Sequence, residues 1–266
     1  MTLVWKSGWN GLTEPEAIDY VAAVEAADGQ ELEFGVAKAI NDFVVGCKAD
    51  GIWNAIKASC ILAGARTLDG ALVPLVGTAP TNFNFVSADY DRETGLVGDG
   101  STKYLDSNRA ADADPQNNSH ASVHVSVTQT GASGRAVMGA LSTTPTLNRS
   151  LQLAIDNGKD IAANRSVGFL SSSRPTNSFA TGMLGTSRNS SVDYDFLFTG
   201  TTLTKVETSL APISLNIYVF AQNLNGTVSV PTNARLAFYS IGESLDLALL
   251  DTRVSNLITA IGAAIP

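Results

Sequence analysis

The spacing of apolar residues changes along this 266-residue chain, and the change divides it into a helical part and a β part. Between Thr13 and about Ala63, apolar side chains recur every three or four residues, which is typical of amphipathic helices. From about Asn82, short segments rich in Val, Phe, Tyr, Ser, Thr and Asn are separated by Gly or Asn at intervals of about eight to twelve residues. This second pattern favours a β-sandwich or barrel.

The helical part predicts three helices. The first is expected to open with a capping box and a proline in its first turn, formed by Thr13, Pro15 and Glu16. The second follows the Asp28-Gly29 break and covers residues 32–47. A third is expected after Asp50 as its cap, with an apolar face made of Ile52, Trp53 and Ile56.

The clearest strand of the β part covers residues 120–128. Alternation places one set of its side chains in the core, namely Ala121, Val123, Val125 and Val127. The other set is predicted to form an exposed polar face, made of His120, Ser122, His124 and Ser126.

Further strands and turns follow from the same patterns. The strands are predicted at residues 150–155, 166–171, 192–198, 215–221 and 235–241. Hairpin turns are predicted at residues 156–159 and 223–226. A final helix should begin near Ser244 or Asp246, with one apolar face formed by Leu250, Val254, Leu257, Ile258 and Ile261.

The charge of the chain argues against two classes of partner. Asp and Glu number 25 against 17 Lys and Arg, which gives a net charge of −8. Nucleic acids and anionic lipid surfaces are bound through clustered Lys and Arg, so we expect neither partner. Residues 1–10 lack the pattern of a signal peptide, and no apolar run reaches the roughly 18 residues of a membrane span, so no membrane insertion is expected.

The two cysteines do not form a recognised redox or metal motif. Cys47 and Cys60 are separated by 12 other residues in the sequence and form no CxxC pair. The simplest interpretation is two buried free thiols in a reducing compartment, although the spacing alone leaves a disulfide open.

Catalytic motifs are absent from the sequence. His120 and His124 would stand about 13 Å apart on a strand, too far to share a metal ion. A serine or cysteine nucleophile needs a nearby base, but no GxSxG segment occurs, and Asp193-Tyr194-Asp195 lacks the accompanying Glu of the ExDxxE strand found in sandwich glycosidases. We therefore predict no catalytic, cofactor-binding or metal-binding residues.

Two weaker patterns concern ligands. The alternating acids Asp89, Asp91 and Glu93, with Asp99 beyond, could hold Ca²⁺, but they lack the EF-hand spacing and are better interpreted as a solvated turn. Several aromatic residues could stack on sugar rings, although alternation places about half of them in the core: Trp53, Tyr104, Tyr194, Phe196, Phe198 and Tyr218.

Three segments carry a resemblance to a known family. Residues 95–106 (GLVGDGSTKYLD) resemble the first core strand of concanavalin A-like, or laminin-G-like, jelly rolls in structural proteins of tailed phages. Residues 235–245 (RLAFYSIGESL) resemble their closing strand, which leads into a C-terminal helix. The segment 51–57 (GIWNAIK) resembles the piece that precedes the jelly roll in proteins of phages that infect cyanobacteria and other bacteria.

The resemblance implies a mainly β, antiparallel jelly-roll sandwich with a small helical segment before it and a helix after it. We accordingly predict an N-terminal helical segment for attachment or assembly at residues 1–80 and a jelly roll with its C-terminal helix at residues 81–266. The implied function is a non-enzymatic virion structural protein of a tail fibre or baseplate. The alternatives are a capsid decoration protein that stabilises the head, or a carbohydrate-active enzyme.

The same resemblance fixes the expected partners. The N-terminal helices would bind other virion proteins, and the sandwich would face host surface carbohydrate. We expect a homo-oligomer, with a trimer as the form considered, because closed symmetric assemblies are common. No cofactor is expected, and the protein would be assembled in the host cytoplasm and incorporated into the virion.

Overall fold

The computed structural model describes residues 11–130, 134–156, 159–171, 181–198 and 200–266. Residues 1–10, whose sequence predicts no signal peptide, lie outside this part of the chain. The helices are α1 (Pro15–Asp28), α2 (Phe34–Ala49), α3 (Leu68–Ala71) and α4 (Leu247–Ala264). The first nine strands are β1 (Ile56–Ile61), β2 (Thr81–Phe83), β3 (Tyr90–Asp91), β4 (Gly95–Val97), β5 (Tyr104–Ala110), β6 (Ser119–Val127), β7 (Arg135–Ser142), β8 (Asn148–Asp156) and β9 (Lys159–Ser166). The remaining strands are β10 (Leu170–Ser171), β11 (Gly182–Arg188), β12 (Asp193–Phe198), β13 (Thr201–Val206), β14 (Asn216–Val219), β15 (Gln222–Leu224), β16 (Thr227–Ser229) and β17 (Arg235–Gly242).

The strands form two sheets. Sheet A has the order β13-β12-β11-β6-β17-β4-β3, with β1 also paired to β17. Sheet B has the order β10-β9-β8-β7-β14-β5-β2, with β15 and β16 attached at β7. The pairs are antiparallel except for β15 with β7, which run parallel. The predicted mainly β sandwich with N-terminal helices and a C-terminal helix is therefore confirmed.

The space between the sheets is filled by one face of each. Leu105 of β5 and Val219 of β14 point inwards from sheet B, and Val123 and Phe196 point inwards from sheet A; all four are fully buried. Burying a side chain of this size contributes about 1.5–3 kcal/mol, so this layer supplies much of the stability of the sandwich.

Three helices cover the outer face of sheet A. We call α1, α2 and α4 together the helical layer. Met183, Leu197 and Phe238 leave the outer face of the sheet and join a buried cluster with apolar side chains of these helices. Phe43 of α2 meets Phe238 edge to face, with ring centroids 5.7 Å apart. The molecule thus has three layers in the described residues: helices, sheet A and sheet B.

The predicted third helix is reduced to a single 3₁₀ turn at Trp53–Ala55. Asp50 ends α2 instead of opening a helix, and residues 56–61 form strand β1, which pairs with β17 along the register Ile56↔Gly242 to Ile61↔Phe238. β1 is buried on both faces: Ala58 and Cys60 face the sandwich core, while Ile56 and Ile61 face the helical layer. The spacing of Ile52, Trp53 and Ile56 also fits a helix, and it is the pairing with β17, about 180 residues away, that makes this segment a strand.

The predicted capping box of the first helix is also wrong, although proline does occupy its first turn. Glu14 is the capping residue and makes no side-chain bond to the helix. The backbone amides of Thr13 and Glu14 instead donate to Asn41 Oδ1 of α2, at 2.7 and 3.0 Å. A neighbouring helix thus supplies the acceptor that the local sequence was expected to supply.

The prediction for β6 is corrected in two places: its polar side is not exposed, and Val127, predicted to lie in the core, is 49% exposed. His120 and Ser122 are buried because residues after β17 and the helical layer cover this side of sheet A. His120 Nδ1 lies 2.5 Å from the Glu243 carbonyl oxygen, and its Nε2 lies 2.9 Å from Ser240 Oγ. Ser122 Oγ is in turn 2.8 Å from Ser240 Oγ. The side chains form a buried hydrogen-bonded network.

The remaining predictions of elements have mixed outcomes. Strands predicted near residues 150–155, 192–198, 215–221 and 235–241 correspond to β8, β12, β14 and β17. The strand predicted at 166–171 is wrong, because the chain reverses there and β10 pairs back onto β9 through Leu170↔Ala162. Residues 223–226 form the expected turn between β15 and β16, with φ of 51° at Asn225 and 89° at Gly226.

Three further predictions concern the turn at residues 156–159, the final helix and the division of the chain at residue 80. Asp156 pairs with Lys159, as the predicted turn requires, while residues 157 and 158 lie outside the described residues. The final helix is confirmed: it begins at Leu247, and Asp246 caps it. The division at residue 80 stays a prediction; β1 and α2, from the first part, pair or pack with β17 and α4 from the second.

Candidate functional site

Three aromatic side chains lie side by side on the outer face of sheet B, and we call Phe83, Tyr104 and Tyr218 the aromatic row. Phe83 pairs with Tyr104 across β2 and β5, and their rings are stacked with centroids 4.4 Å apart and planes 4° from parallel. Tyr218 of β14 lies on the other side of Tyr104, at 4.7 Å and 37°. The row points away from the core because its neighbours along the strands, Leu105 and Val219, fill the space between the sheets.

The aromatic row is partly open to solvent. Phe83 is 37% exposed, and the two tyrosines are half-buried. Burial raises the pKa of both tyrosines above the ordinary value, and the carboxylate of Asp106 adds to the effect. Both hydroxyls therefore stay protonated at neutral pH and can donate as well as accept.

A carboxylate is fixed beside the aromatic row. Asp106 lies two residues after Tyr104 on β5, and the backbone register places it opposite Tyr218. Its Oδ1 accepts from the backbone amide of Asn108 at 2.8 Å, and its Oδ2 accepts from Asn216 Nδ2 at 3.2 Å. The carboxylate is thus oriented by two donors while its side chain stays only partly buried.

Buried side-chain amides lie further along sheet B. Asn223 Nδ2 donates to the Asn216 carbonyl oxygen at 2.9 Å. Gln152 Nε2 donates to Gln222 Oε1 at 3.0 Å. Gly139 lies between β8 and β15, where a Cβ atom would stand 3.1 Å from the Gln222 Cβ, so the glycine allows the amides to approach.

The edge strand that carries Phe83 is held by asparagines. Asn108, with φ of 54°, donates through Nδ2 to the Ala79 carbonyl oxygen at 2.8 Å and to Thr81 Oγ1 at 3.0 Å. Asn84, with φ of 69°, donates to the Thr102 carbonyl oxygen at 2.9 Å. Asparagine tolerates this left-handed conformation better than most residues, so the sequence places it where β2 must be fixed to β5.

The structure separates the aromatic residues that the sequence singled out as candidates. Tyr104 and Tyr218 belong to the aromatic row. Tyr194 and Phe196 are buried, and the half-buried Phe198 packs on Phe196 at 5.4 Å. Trp53 packs against the helical layer. Sequence reasoning missed Phe83, whose signal was the alternation Thr81-Asn82-Phe83-Asn84-Phe85 just before the clearer strands.

The acids considered for Ca²⁺ build turns. Asp91 accepts from the backbone amide and hydroxyl of Thr94, and Asp89 pairs with Lys103 at 2.5 Å. Burial would raise the pKa of Asp99, but hydrogen bonds from the backbone amides of residues 103, 101 and 102 outweigh it and hold that pKa well below the ordinary value. Within the described residues, no group of three or more His, Cys, Asp or Glu is placed to bind a metal ion.

Clefts also lie elsewhere on the described part of the molecule, and two of them adjoin α4. The larger, of about 540 Å³, lies between β11–β13 and the start of α4 and contains Asp195 and Asp246. Both acids already have donors, since Asp195 accepts from Thr204 Oγ1 at 2.6 Å and Asp246 accepts from the first amides of α4. The smaller cleft, of about 220 Å³, lies between α2 and α4.

The two cysteines are unreactive at neutral pH. Cys47 and Cys60 are free and buried, as the sequence predicts, and burial raises the pKa of both thiols to about 12. Reactivity requires the thiolate, so neither side chain is a nucleophile at neutral pH. None of the described helices is long and apolar enough to cross a membrane.

Comparison with known proteins supports the fold. No family model and no curated protein matches the sequence. Among solved structures, Trypanosoma rangeli sialidase in complex with sialic acid matches 79% of this chain and 34% of its own, with 10% identity and a TM-score of 0.50. A mutant of that enzyme displaying trans-sialidase activity matches 85% of this chain and 40% of its own, with 10% identity and a TM-score of 0.49.

A smaller protein is also similar. The Ruminococcus gnavus IT-sialidase CBM40 bound to α2,3-sialyllactose matches 56% of this chain and 84% of its own, with 12% identity and a TM-score of 0.37. This chain spans less than half the length of the Trypanosoma enzymes that it matches. At such low identity the likeness to the sialidase in complex with sialic acid, whose TM-score is 0.50, shows the β-sandwich fold and nothing further.

Proposed function

We propose that this chain is a non-enzymatic, glycan-binding virion protein of a tailed phage, placed at the tail fibre or baseplate. The observation that carries glycan binding is the aromatic row with Asp106 and Asn216 beside it. A sugar ring has an apolar C–H face that packs on an aromatic ring and hydroxyl groups that bond to carboxylate and amide groups. The described surface offers both kinds of contact on adjacent strands.

The contacts around the aromatic row favour binding over hydrolysis. Glycosidases of the common type hold two carboxyl groups on either side of the scissile bond, about 5–9.5 Å apart. The contacts of the described residues bring one carboxylate, Asp106, to the aromatic row. His120, which could act as a base elsewhere, is buried under the helical layer on the other sheet.

The placement of the two surfaces supports a role in a virion. The helical layer covers sheet A, whereas the aromatic row lies on the outer face of sheet B, on the opposite side of the sandwich. One side can therefore attach to other virion proteins while the other side meets the host. The phage assignment itself depends on the resemblance of residues 95–106 and 235–245 to jelly rolls of tailed phages.

Glycan binding is tested with two variants of the full chain. Y104A/Y218A should reduce binding to host cells and to host polysaccharide at least about tenfold, the loss expected when about 1.4 kcal/mol of contact energy is removed. Phe34→Ala is the matched control, because Phe34 is 50% exposed on α2 at the helical side. Equal binding by all three proteins would contradict the proposal, provided that each keeps its circular dichroism spectrum.

The position in the virion needs a separate measurement. Immunogold electron microscopy with antibody against residues 81–266 should label the tail end of intact particles. Label over the head would favour the capsid decoration role and contradict the tail placement. An absence of label, with antibody shown to bind the purified protein, would contradict the virion assignment.

A further inference from the structure

We infer that the aromatic row selects neutral glycans over glycans that carry carboxylates. This inference rests on the proposed glycan binding and adds the class of ligand. Its basis is the position of Asp106, which lies on the same face of β5 as Tyr104 and opposite Tyr218 in the strand register, and whose carboxylate is held by hydrogen bonds from Asn108 and Asn216. Burial is the largest cause of the raised pKa of Tyr104, and the charge of Asp106 is the second. For Tyr218 the causes of the raised pKa are burial, then Tyr104, then Asp106.

The basic side chains of the neighbouring segments are engaged with other acceptors. Lys103, next to Tyr104, pairs with Asp89 at 2.5 Å. Arg109 pairs with Asp114 through two bonds, at 3.0 and 2.5 Å. Neither cation is therefore directed at the aromatic row.

Two arginines further along sheet B are engaged in the same way. Arg135 donates to the carbonyl oxygens of Gly100 and Pro231, each at 2.9 Å. Arg149 donates to Gln152 Oε1 at 3.1 Å. Among the described residues with contacts on this face, the charge next to the aromatic rings is thus the negative charge of Asp106.

A neutral sugar fits this arrangement. An ionised carboxylate only accepts hydrogen bonds, and sugar hydroxyl groups donate them. The Asn216 amide has two N–H donors and one oxygen acceptor, and the contact with Asp106 uses one of those donors. A glycan carboxylate at the same place would meet a like charge, on a protein whose net charge is already −8.

The experiment compares neutral and anionic glycans that differ at one group. The full chain is applied to an array that holds neutral oligosaccharides and their uronate counterparts, in which a carboxylate replaces the terminal CH₂OH group. The pair that contains the most tightly bound glycan is then titrated at low and high salt. We expect the neutral member to bind at least about tenfold more tightly at low salt and the ratio to shrink at high salt, because salt screens repulsion between exposed charges.

A charge-removing variant identifies the residue responsible. Asp106→Asn keeps an oxygen acceptor for the Asn108 amide but removes the charge, and should reduce the neutral-to-anionic ratio to within about threefold of unity. Asp19→Asn is the matched control, because Asp19 is exposed on α1 and the change in net charge is the same. It should leave the ratio unchanged.

The outcomes separate the two proposals. If both glycans of a pair bind equally, or if Asp106→Asn leaves the ratio unchanged, the inference on charge selection fails. Glycan binding itself is still supported in that case if Y104A/Y218A loses both. If no glycan on the array binds to the folded wild-type protein, the array contradicts the glycan-binding proposal and this inference together.

Discussion

The outer faces of the two sheets carry the same kind of sequence, but that of sheet A is covered and that of sheet B stays partly open to solvent. On sheet A, the polar residues of β6 are covered and joined in a network through His120, Ser122 and Ser240. On sheet B, the alternating Tyr104 and Asp106 of β5 stay partly open. The difference is the helical layer, which packs on one face only. Alternation therefore predicts which side chains leave the core, but a distant segment decides whether they meet solvent.

The largest expected effect comes from removing one aromatic ring on each outer face. Phe238→Ala empties a fully buried site next to Phe43, and should lower the free energy of unfolding by about 3–5 kcal/mol. Phe83→Ala removes a ring that is 37% exposed, and should cost about 0.5–1.5 kcal/mol. Urea or guanidinium unfolding measures both. Equal losses would show that the two faces are covered to the same degree, contrary to the comparison above.

The second test is the dependence of stability on pH, because two histidines lie on the covered face of sheet A. Burial lowers the pKa of His120 and His124 in the folded protein to about 4, from a reference value of 6.5. Below about pH 6.5 the unfolded chain therefore binds more protons than the folded one, and stability falls as the pH drops towards 4. The loss should approach about 3 kcal/mol for a fully buried histidine.

The acid effect can be assigned with a variant. His124 Nδ1 is buried without a hydrogen-bond partner, and its strand neighbours across the sheet are Met183 and Phe238. His124→Leu should thus unfold with a shallower dependence on pH between 6.5 and 4 than the wild type. Parallel stability curves for the two proteins would contradict the assignment, whatever their difference at neutral pH.

The sequence predicts the parts of the molecule that depend on residues close together in the chain. It fails where the structure depends on residues far apart in the chain. Residues 223–226 and Asp246 use local chemistry, so the turn and the start of α4 are predicted correctly. Residues 56–61 depend on pairing with β17, about 180 residues away, and the prediction there is wrong. The aromatic row combines three separate strands, of which Tyr104 and Tyr218 are recognisable candidates and Phe83 is not. Only the sheet register shows that they are neighbours.

The smallest expected effect concerns the hydroxyl group of Tyr218. Tyr218→Phe keeps the ring beside Tyr104 but removes a half-buried hydroxyl, and the loss of one polar contact at such a site costs about 0.5–1.5 kcal/mol. Thermal unfolding should therefore show a small decrease in Tm. Because the Tyr218 ring is retained opposite Asp106, glycan affinity should fall by less than in Y104A/Y218A, which also loses the stacking surface. A Tyr218→Phe variant that binds as weakly as the double variant would mean that polar contacts, and not ring stacking, carry recognition on this open face.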